Sequence, residues 1–355
     1  MRVVVLGLSI TSSWGNGHAT NYRGLVRALC ERGHDVRFLE RDVPWYAAHR
    51  DEPGVGELYR SLDDLRDRFT DAVRSSHLVL QGSYVPEGPA VADWMLDTAR
   101  GVTAFYDIDT PVTLAKLEAR DEEYLAAELV PRFDLYLSFT GGPTLERLER
   151  GWGARRARAF YCLVDPSRYH PEASVARHDL GYLGTYSPDR QPALERLLAE
   201  PARRVPERRF VVAGPQYPPE LEWPPNVERI DHLPPTEHKR FYAQQRFTLN
   251  VTRADMVRAG WSPSVRLFEA AACAVPVISD PWDGLDTIFE PGREILVARN
   301  TSDVMGYVTE LPEEERQAIG ARARRRVLAE HTAGHRAAAL ERYLAELADA
   351  KKVAA

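Results

Sequence analysis

Short apolar runs alternate with amphipathic segments along almost the whole chain. RVVVLGLS, residues 2–9, contains a continuous apolar run, which is typical of a strand covered on both faces. NYRGLVRALCERG, residues 21–33, follows with helical spacing of its apolar residues, and Gly33 is a helix stop. DVRFLERD, residues 35–42, is again a strand. Because parallel strands need long crossovers, this repeated β-α-β order predicts an α/β fold with parallel, doubly wound sheets.

A polar interruption indicates two domains. Residues 165–179, DPSRYHPEASVARHD, are polar and contain two prolines, as is typical of a linker. A length of 355 residues also exceeds one ordinary core. We therefore predict Rossmann-like domains at residues 1–170 and 171–335, facing a central cleft, and a terminal helix at 336–355. The other expected strands are HLVLQGSY, VTAFYDID and LYLSFT in the first domain, and DLGYLGTY, RRFVVAGP, VERIDHL, FTLNVTR and VPVISD in the second.

Composition and charge exclude several classes of protein. The chain has 44% apolar and 28% charged residues and a net charge of −6, which argues against an extended nucleic-acid surface. No apolar stretch approaches the roughly 20 residues that span a bilayer, so we expect no integral membrane segment. The three cysteines suit reduced core thiols, and the start lacks a cleavable signal pattern, so we expect a cytoplasmic protein. The histidines lack metal-ligand spacing, and we expect no metal.

Polar side chains follow several of the expected strands. In open α/β sheets, ligands bind beyond the carboxyl ends of the strands, so these loops are candidate site residues. The candidates in the first domain are Trp14, Asn16, Gly17 and His18 after the first strand, and Asp107 and Asp109 after VTAFYDI. Those in the second domain are Thr185 and Arg190 after GYLG, and Arg253 and Arg258 after LNVT.

SPSVRLFEAAACAVPVISDPWDGL, residues 262–285, carries the sharpest chemical signal. Ser262 and Pro263 suit the N-cap and first position of a helix, whose free N–H groups attract phosphate. The nearby Arg253, Arg258 and Arg266 add positive charge. Glu269 stands about two turns into the helix, where a carboxylate accepts hydrogen bonds from a ribose diol. A surface ion pair between Arg266 and Glu269 is the simpler alternative.

The second half of the chain resembles a known enzyme family. RLFEAAACAVPVIS, DGLDTIFEPGREILVARNTSDV and ARARRRVLAEHTAGHRAAALERYL resemble the C-terminal domain of GT-B glycosyltransferases, with the likeness extending from about residue 181 to 344. The nearest type is the retaining group-one transferases, and within them the CgeB-like spore-maturation branch. WGNGHATNYRGLVRALCERGHDVRFLE is similar to the opening of many GT-B enzymes.

The resemblance implies a nucleotide-sugar donor, usually UDP-linked, held by the second domain. It implies that Glu269 holds the ribose hydroxyls. The loop from Thr185 to Arg190 and the helix beginning at Ser264 would approach the diphosphate, and the backbone at Gly284 would approach the sugar. It also implies an acceptor in the first domain, a terminal helix that packs back onto that domain, and no metal.

Two features depart from the family pattern. The family commonly has a second glutamate eight residues before the one at Glu269, and this chain has Trp261 there. A lysine often found after the first strand of the donor domain has no clear counterpart, and Arg190 or Arg253 would replace it. The family's glutamate contact to the transferred sugar therefore has no counterpart at residue 261.

The first-domain candidates each have a structural alternative. His18 would contact the acceptor or act as a base, or it would only cap a helix. Asp107 and Asp109 would touch the transferred sugar, or they would only shape the turn before Pro111. Trp14, with Asn16 and Gly17 beside it, would stack on a sugar ring, or it would only cover its loop.

The sequence as a whole predicts a metal-independent glycosyltransferase without a bound cofactor. It would move a hexose from a nucleotide-diphosphate sugar to a hydroxyl of a small-molecule or glycan acceptor. The resemblance implies a UDP-sugar donor and retention of configuration; if the transfer inverts configuration instead, His18 or Asp107 is the expected base. The alternatives are a nucleotide-sugar epimerase of the same fold and a sugar-nucleotide-binding protein without activity.

Overall fold

The structure, a computed structural model, describes residues 1–14 and 17–354, with side chains through residue 349. The chain divides into two compact units. The first contains Met1–Leu163 and the C-terminal segment from Ala333, and the second contains Val164–Thr332. The sequence placed these boundaries at residues 170 and 335.

The first unit is built on a seven-stranded parallel sheet with the order β3-β2-β1-β4-β5-β6-β7. Its strands are β1 (Arg2–Gly7), β2 (Asp35–Arg41), β3 (Glu57–Tyr59), β4 (Leu78–Gly82), β5 (Val102–Asp107), β6 (Leu135–Ser138) and β7 (Ala157–Ala159). Its helices are α1 (His18–Glu31), α2 (Pro44–Ala47), α3 (Leu62–Ser75), α4 (Gly88–Thr98), α5 (Thr110–Glu118) and α6 (Pro143–Trp152), with a 3₁₀ segment at Ala127–Arg132. Strand order reverses between β1 and β4, so loops on either side of this point diverge and leave room for a ligand.

The second unit repeats this plan with six parallel strands in the order β10-β9-β8-β11-β12-β13. The strands are β8 (His178–Leu183), β9 (Phe210–Ala213), β10 (Val227–Ile230), β11 (Gln245–Asn250), β12 (Val277–Ser279) and β13 (Leu296–Val297). The helices are α7 (Gln191–Leu194), which continues through a π-helical turn at Glu195–Ala199 into α8 (Glu200–Arg204), then α9 (Pro235–Ala243), α10 (Ala254–Ala259), α11 (Val265–Ala272), α12 (Leu285–Ile288), α13 (Thr301–Thr309) and α14 (Glu313–Glu330). Here the order reverses between β8 and β11.

The last helix, α15 (Ala333–Ala354), belongs to the first unit and packs against α1. Gly24 permits this approach, because a Cβ there would lie 2.6 Å from a methyl group of Leu163 and 3.6 Å from Ala333. Glu341 accepts hydrogen bonds from Arg32 and, at 2.7 Å, from His34 Nε2. Together these contacts fix the helix to the end of α1.

Each unit has its own apolar core, in which buried strand residues pack against the apolar faces of the surrounding helices. The long strands of both sheets match the apolar runs of the sequence. The sequence did not predict β3, β7 and β13, because segments of two or three residues are too short to show a period. In the part of the chain that the structure describes, no helix combines the length and apolar character needed to cross a bilayer.

Candidate functional site

The start of α11 lies where β11 and β12 end, and one side chain holds it there. Asn250, the last residue of β11, accepts from Ser264 Oγ at 2.8 Å and from Arg266 Nη1 at 2.9 Å. Its Nδ2 donates to Thr252 Oγ1 at 3.1 Å and to Ser279 Oγ at 3.0 Å. The amide therefore joins two strand ends to the helix terminus.

The helix begins later than the sequence predicted. Ser262 is not its N-cap, since α11 starts at Val265 and the hydroxyl of Ser262 donates instead to Gly260 O at 2.8 Å. Ser264 precedes the first helical residue, but its hydroxyl is directed to Asn250 and caps no backbone N–H. The N–H groups of the first turn therefore lack a side-chain cap, which leaves them available to an anion.

Arg266 is a buried cation aimed at the end of β8. Its Nε donates to Leu183 O at 2.6 Å, and its guanidinium lies 4.8 Å from the ring centre of Tyr182. Nη2 faces Gly184, where a Cβ would come within 2.9 Å of it. Because both Arg266 and Glu269 are buried and no ion pair joins them among the described residues, the surface-pair interpretation is wrong.

Arg190 and Arg253 lie near the same loops, whereas Arg258 does not. Arg190 Nη2 donates to Thr185 O at 2.6 Å and closes the loop that follows β8. Asp189 accepts a hydrogen bond from the backbone N of Ala254 at 2.9 Å. Burial opposes ionisation of this carboxyl, but its hydrogen bonds and the positive charges of Arg253 and Arg190 outweigh burial and lower its pKa. The Nε atoms of Arg190 and Arg253 are buried, and neither has a hydrogen-bond partner in the described part of the chain. Arg258 instead has a 70% exposed side chain bonded to Asp255, so the structure does not place it with the others.

Close backbone approach explains a glycine in the neighbouring loop. Gly214 has φ of +138°, and a Cβ there would lie 2.1 Å from Gly184 O. Tyr186 N donates to Pro215 O at 3.0 Å, and Tyr217 Oη donates to Gly184 O at 3.2 Å. The loops after β8 and β9 are therefore held together with Thr185 between them.

Glu269 is nearly inaccessible and has polar neighbours that the sequence did not reveal. Its residue exposure is 4%, and Oε2 accepts from Tyr242 Oη at 3.0 Å. His238 Nδ1 lies 3.9 Å from the same oxygen. Tyr169 lies beside the carboxylate, and burial together with the charge of Glu269 raises the pKa of its phenol well above the ordinary value. His238 and Tyr242 are four residues apart on α9, a spacing that could have indicated a shared polar face.

Trp261, the departure noted in the sequence, has strained backbone. Its φ is +42°, a left-handed conformation that is unusual for a bulky side chain. The conformation is held by the hydrogen bond from Trp261 N to Asp283 O, 2.6 Å long. The indole covers Gly284, which has φ of +88° and where a Cβ would lie 2.4 Å from the ring. The indole therefore lies over the backbone at which the family resemblance places the sugar.

In the first unit, Asp107 and Asp109 have different environments. Asp107 ends β5, has 0% exposure, and accepts from Tyr136 Oη at 2.6 Å and Thr113 Oγ1 at 2.7 Å. Burial raises the pKa of Asp107 to about 6, and the negative charge of Asp109 also raises it. The hydrogen bonds from Tyr136 and Thr113 act in the opposite direction, because they stabilise the carboxylate. This geometry contradicts the expectation that Asp107 touches a sugar directly, because the side chain is enclosed. The side chain of Asp109 is partly exposed and is therefore accessible to a ligand.

His18 is close to Asp109. Its Nε2 lies 3.8 Å from Asp109 Oδ2, and the residue is 9% exposed. Its Nδ1 has no hydrogen-bond partner among the residues that the structure describes. Tyr84 contacts the His18 ring edge-on at 5.4 Å, and Tyr124 lies 4.4 Å from Tyr84 between ring centres. Tyr84 has φ of +64° although it is not glycine. Neither tyrosine could be recognised from the sequence, because neither lies in a motif.

The remaining first-unit candidates are at the surface or outside the described residues. Trp14 is 43% exposed, and its ring stacks on His49 at 4.7 Å. Gly17 is exposed and immediately precedes α1, without a side chain to cap it. Asn16 lies outside the described residues. Among the residues that are described, no group of three or more potential ligands is arranged to hold a metal ion.

Comparisons with known proteins agree with this architecture. Residues 190–342 match the family model described as "Glycosyl transferase-like". Three solved structures share the fold over nearly their whole length. Sucrose-phosphate synthase from Thermosynechococcus elongatus is 14% identical, with 99% of this chain and 100% of that chain covered and a TM-score of 0.70. HepE from Anabaena, solved with UDP and glucose, is 13% identical, with 98% and 100% covered and a TM-score of 0.71. An alpha-glucosyltransferase, solved with UDP-glucose and DNA containing an abasic site, is 13% identical, with 97% and 99% covered and a TM-score of 0.73.

These similarities confirm the predicted fold class, two Rossmann-like doubly wound domains of the GT-B type. No curated protein sequence matches the chain. At identities of 12–16%, the structural likeness establishes the fold alone.

The buried carboxyl group of Asp107 generates a prediction about stability. Its pKa is raised in the folded state, so the folded protein holds this proton more tightly than the unfolded chain does. The resulting stabilisation is complete below about pH 4 and is lost as the pH rises through about 6. Relative to Asp107→Asn, which cannot titrate, the wild-type free energy of unfolding should fall by about 2 kcal/mol between about pH 4.5 and pH 7. Urea unfolding of both proteins at several pH values measures this difference, and a constant difference would contradict the raised pKa.

Proposed function

We propose that the protein is a glycosyltransferase that uses a UDP-sugar as donor. One observation carries the proposal: an uncapped helix start and the inward-facing cations Arg266, Arg190 and Arg253 lie at the switch point of the second sheet, with the buried carboxylate of Glu269 on the same helix. This combination suits a nucleoside diphosphate. The UDP and UDP-glucose present in similar structures support UDP as the nucleotide.

In this proposal the second unit binds the donor. The N–H groups at the start of α11 and the guanidinium of Arg266 contact the diphosphate, and Arg190 or Arg253 adds charge where a lysine is absent. Charge accumulates on the departing phosphate as the glycosidic bond breaks, so preorganised cations and a helix N-terminus lower the barrier. Glu269 accepts hydrogen bonds from the ribose diol, as the sequence resemblance also implied. The backbone at Gly284, under Trp261, approaches the transferred sugar.

The first unit supplies the acceptor contacts in this proposal. Asp109 and His18 are polar groups 3.8 Å apart after two of its strands, and Tyr84 and the exposed Trp14 offer aromatic faces for a sugar or other ring. Asp107 contributes indirectly, by fixing the end of β5 and the turn that carries Asp109. We propose a small-molecule or glycan hydroxyl as the acceptor; the net charge of −6 argues against nucleic acid.

We further propose transfer of a hexose with retention of configuration and without a metal. The resemblance to the retaining group-one transferases, and to their CgeB-like branch, supports retention. The leaving phosphate then takes the acceptor proton, so no strong protein base is needed. The pairing of His18 with Asp109 would suit inversion instead, since an imidazole beside a carboxylate can act as a general base. The three free thiols fit the proposed cytoplasmic location.

Incubation with UDP-glucose in water, followed by measurement of released UDP and NMR of the sugar, tests the function. The proposal expects UDP release and free glucose that is initially α. Initial β-glucose would indicate inversion, and isomerised UDP-sugar would indicate an epimerase. Saturable UDP binding without any turnover would support a binding protein, an outcome made relevant by Trp261 in place of a carboxylate.

Glu269→Gln should weaken UDP binding, because an amide is a poorer acceptor for a diol than a carboxylate. Losing one charge-assisted hydrogen bond should raise the Kd by about 10- to 100-fold. Isothermal titration with UDP measures the effect, and the melting temperature shows whether the fold is intact. An unchanged Kd would rule out the ribose role.

Arg253→Ala should reduce turnover more than it reduces UDP affinity, since phosphate charge grows in the transition state. We expect kcat for UDP-glucose hydrolysis to fall by about 100-fold. Arg258→Ala is the matched control, because Arg258 is close in sequence but turned outward onto Asp255. Its kcat should stay near the wild-type value. If the two variants behave alike, the diphosphate is held elsewhere.

A further inference from the structure

Glu269 is the single carboxylate of α11 and is buried. Three side chains from outside the helix lie around it: Tyr242 and His238 on α9, and Tyr169 from the segment before β8. We call these three residues the Glu269 cage. All belong to the second unit.

Tyr242 is a dedicated donor in this cage. The phenol is completely buried, and its described hydrogen bond runs to Glu269 Oε2 at 3.0 Å. Burial, followed by the charge of Glu269, raises the pKa of Tyr242 well above the ordinary value, so the hydroxyl keeps its proton. A protonated phenol that faces a carboxylate can only donate to it. Oε2 is therefore held in one position by Tyr242.

His238 does not compete for that role. Its Nε2 lies 3.2 Å from Leu233 O, a pure acceptor, so Nε2 carries the proton and Nδ1 is the lone-pair nitrogen. Burial lowers the pKa of His238, which favours this neutral form. Nδ1 lies 3.4 Å from Tyr169 Oη, so the hydroxyl of Tyr169 is shared between two acceptors, His238 Nδ1 and Glu269, whereas Tyr242 is directed to Glu269.

The cage therefore restrains the carboxylate without saturating it. A carboxylate has two oxygens with about four acceptor positions, and the two phenols together fill at most two of them. The last torsion of a glutamate is broad, so a free Glu269 would sample many orientations. A hydrogen bond from a rigid, buried phenol selects one orientation in advance and leaves acceptor positions for a ligand.

We infer that Tyr242 is a positioning residue for nucleotide binding, one that orients Glu269 to accept hydrogen bonds from the ribose hydroxyls of the donor. This inference rests on the proposed function and extends it to a residue that does not itself touch the nucleotide. It predicts that Tyr242 affects only ligands that have ribose hydroxyls. A tyrosine that merely packs the core would affect every ligand alike.

The test compares Tyr242→Phe with the wild type in isothermal titrations against UDP and 2′,3′-dideoxyuridine diphosphate. The wild type should prefer UDP, because the dideoxy compound has no hydroxyl to offer Glu269. Tyr242→Phe should weaken UDP binding by about tenfold and leave the dideoxy compound within about twofold, so the preference shrinks. Equal weakening of both ligands, or of neither, would overturn the inference.

Two further variants isolate the effect. Tyr307→Phe is the matched control: it removes another phenol hydroxyl of the same unit, which donates to Val297 O at 3.0 Å, and should leave both affinities unchanged. Tyr169→Phe removes the second phenol beside Glu269 and should reduce the preference for UDP less than Tyr242→Phe does, since Tyr169 also has His238 as an acceptor. It also keeps the inference falsifiable if Tyr242→Phe fails to fold, because a lost preference in Tyr169→Phe would assign positioning to Tyr169.

The same titrations separate failure of this inference from failure of the proposed function. If Glu269→Gln and the wild type bind UDP equally, Glu269 does not contact the nucleotide, and the proposed ribose site is wrong. If Glu269→Gln loses the preference for UDP and Tyr242→Phe retains it, the ribose site stands and the positioning role of Tyr242 is wrong.

Discussion

The arrangement of the second unit depends on the side chain of Asn250. At the end of β11 its amide uses both accepting and donating atoms, so that Ser264 and Arg266 are bound on one side and Thr252 and Ser279 on the other. A buried amide is stable only when these bonds are made, because an unsatisfied polar group costs about 1–3 kcal/mol. The helix start, the inward arginine and two strand ends are thus fixed relative to each other by one residue.

Buried polar groups organise the strand ends of both sheets in the same way. Glu40, at the end of β2, accepts from the backbone N of Ile10 and of Thr11 and so shapes the loop after β1. Asp280, just after β12, accepts from Thr252 N and Thr252 Oγ1. Loops beyond parallel strands have no sheet partners, so their backbone groups need side-chain partners to remain ordered. Carboxylates such as Glu40 and Asp280 therefore stabilise the loops near these edges, and only the remaining acidic side chains are available to a ligand.

Polar residues after a strand either stabilise a loop or contact a ligand, and the sequence alone could not distinguish these two roles. Apolar runs and helical spacing were enough for the long strands and for two units, each with its own parallel sheet. They could not separate Asp107 from Asp109, because two aspartates in one turn look alike until burial distinguishes them. They could not separate Arg253 from Arg258 either, since the direction of a long side chain depends on partners elsewhere in the fold. The hydrogen bond from Tyr242 to Glu269 could not be predicted from the sequence, because it joins α9 to α11 across 27 residues.

Trp261 combines a strained backbone with a departure from the pattern of the family that the chain resembles. A left-handed conformation at a bulky residue costs on the order of 1–3 kcal/mol and persists only where the surroundings impose it. Here the hydrogen bond to Asp283 O and the open face of Gly284 impose it, and the result is a flat apolar ring beside the start of α11. An indole offers one N–H donor and no acceptor, whereas a carboxylate accepts from two hydroxyls. A sugar bound against Trp261 would therefore be recognised through its apolar face and its own acceptor oxygens, which is a different selection from the one a glutamate at this position would make.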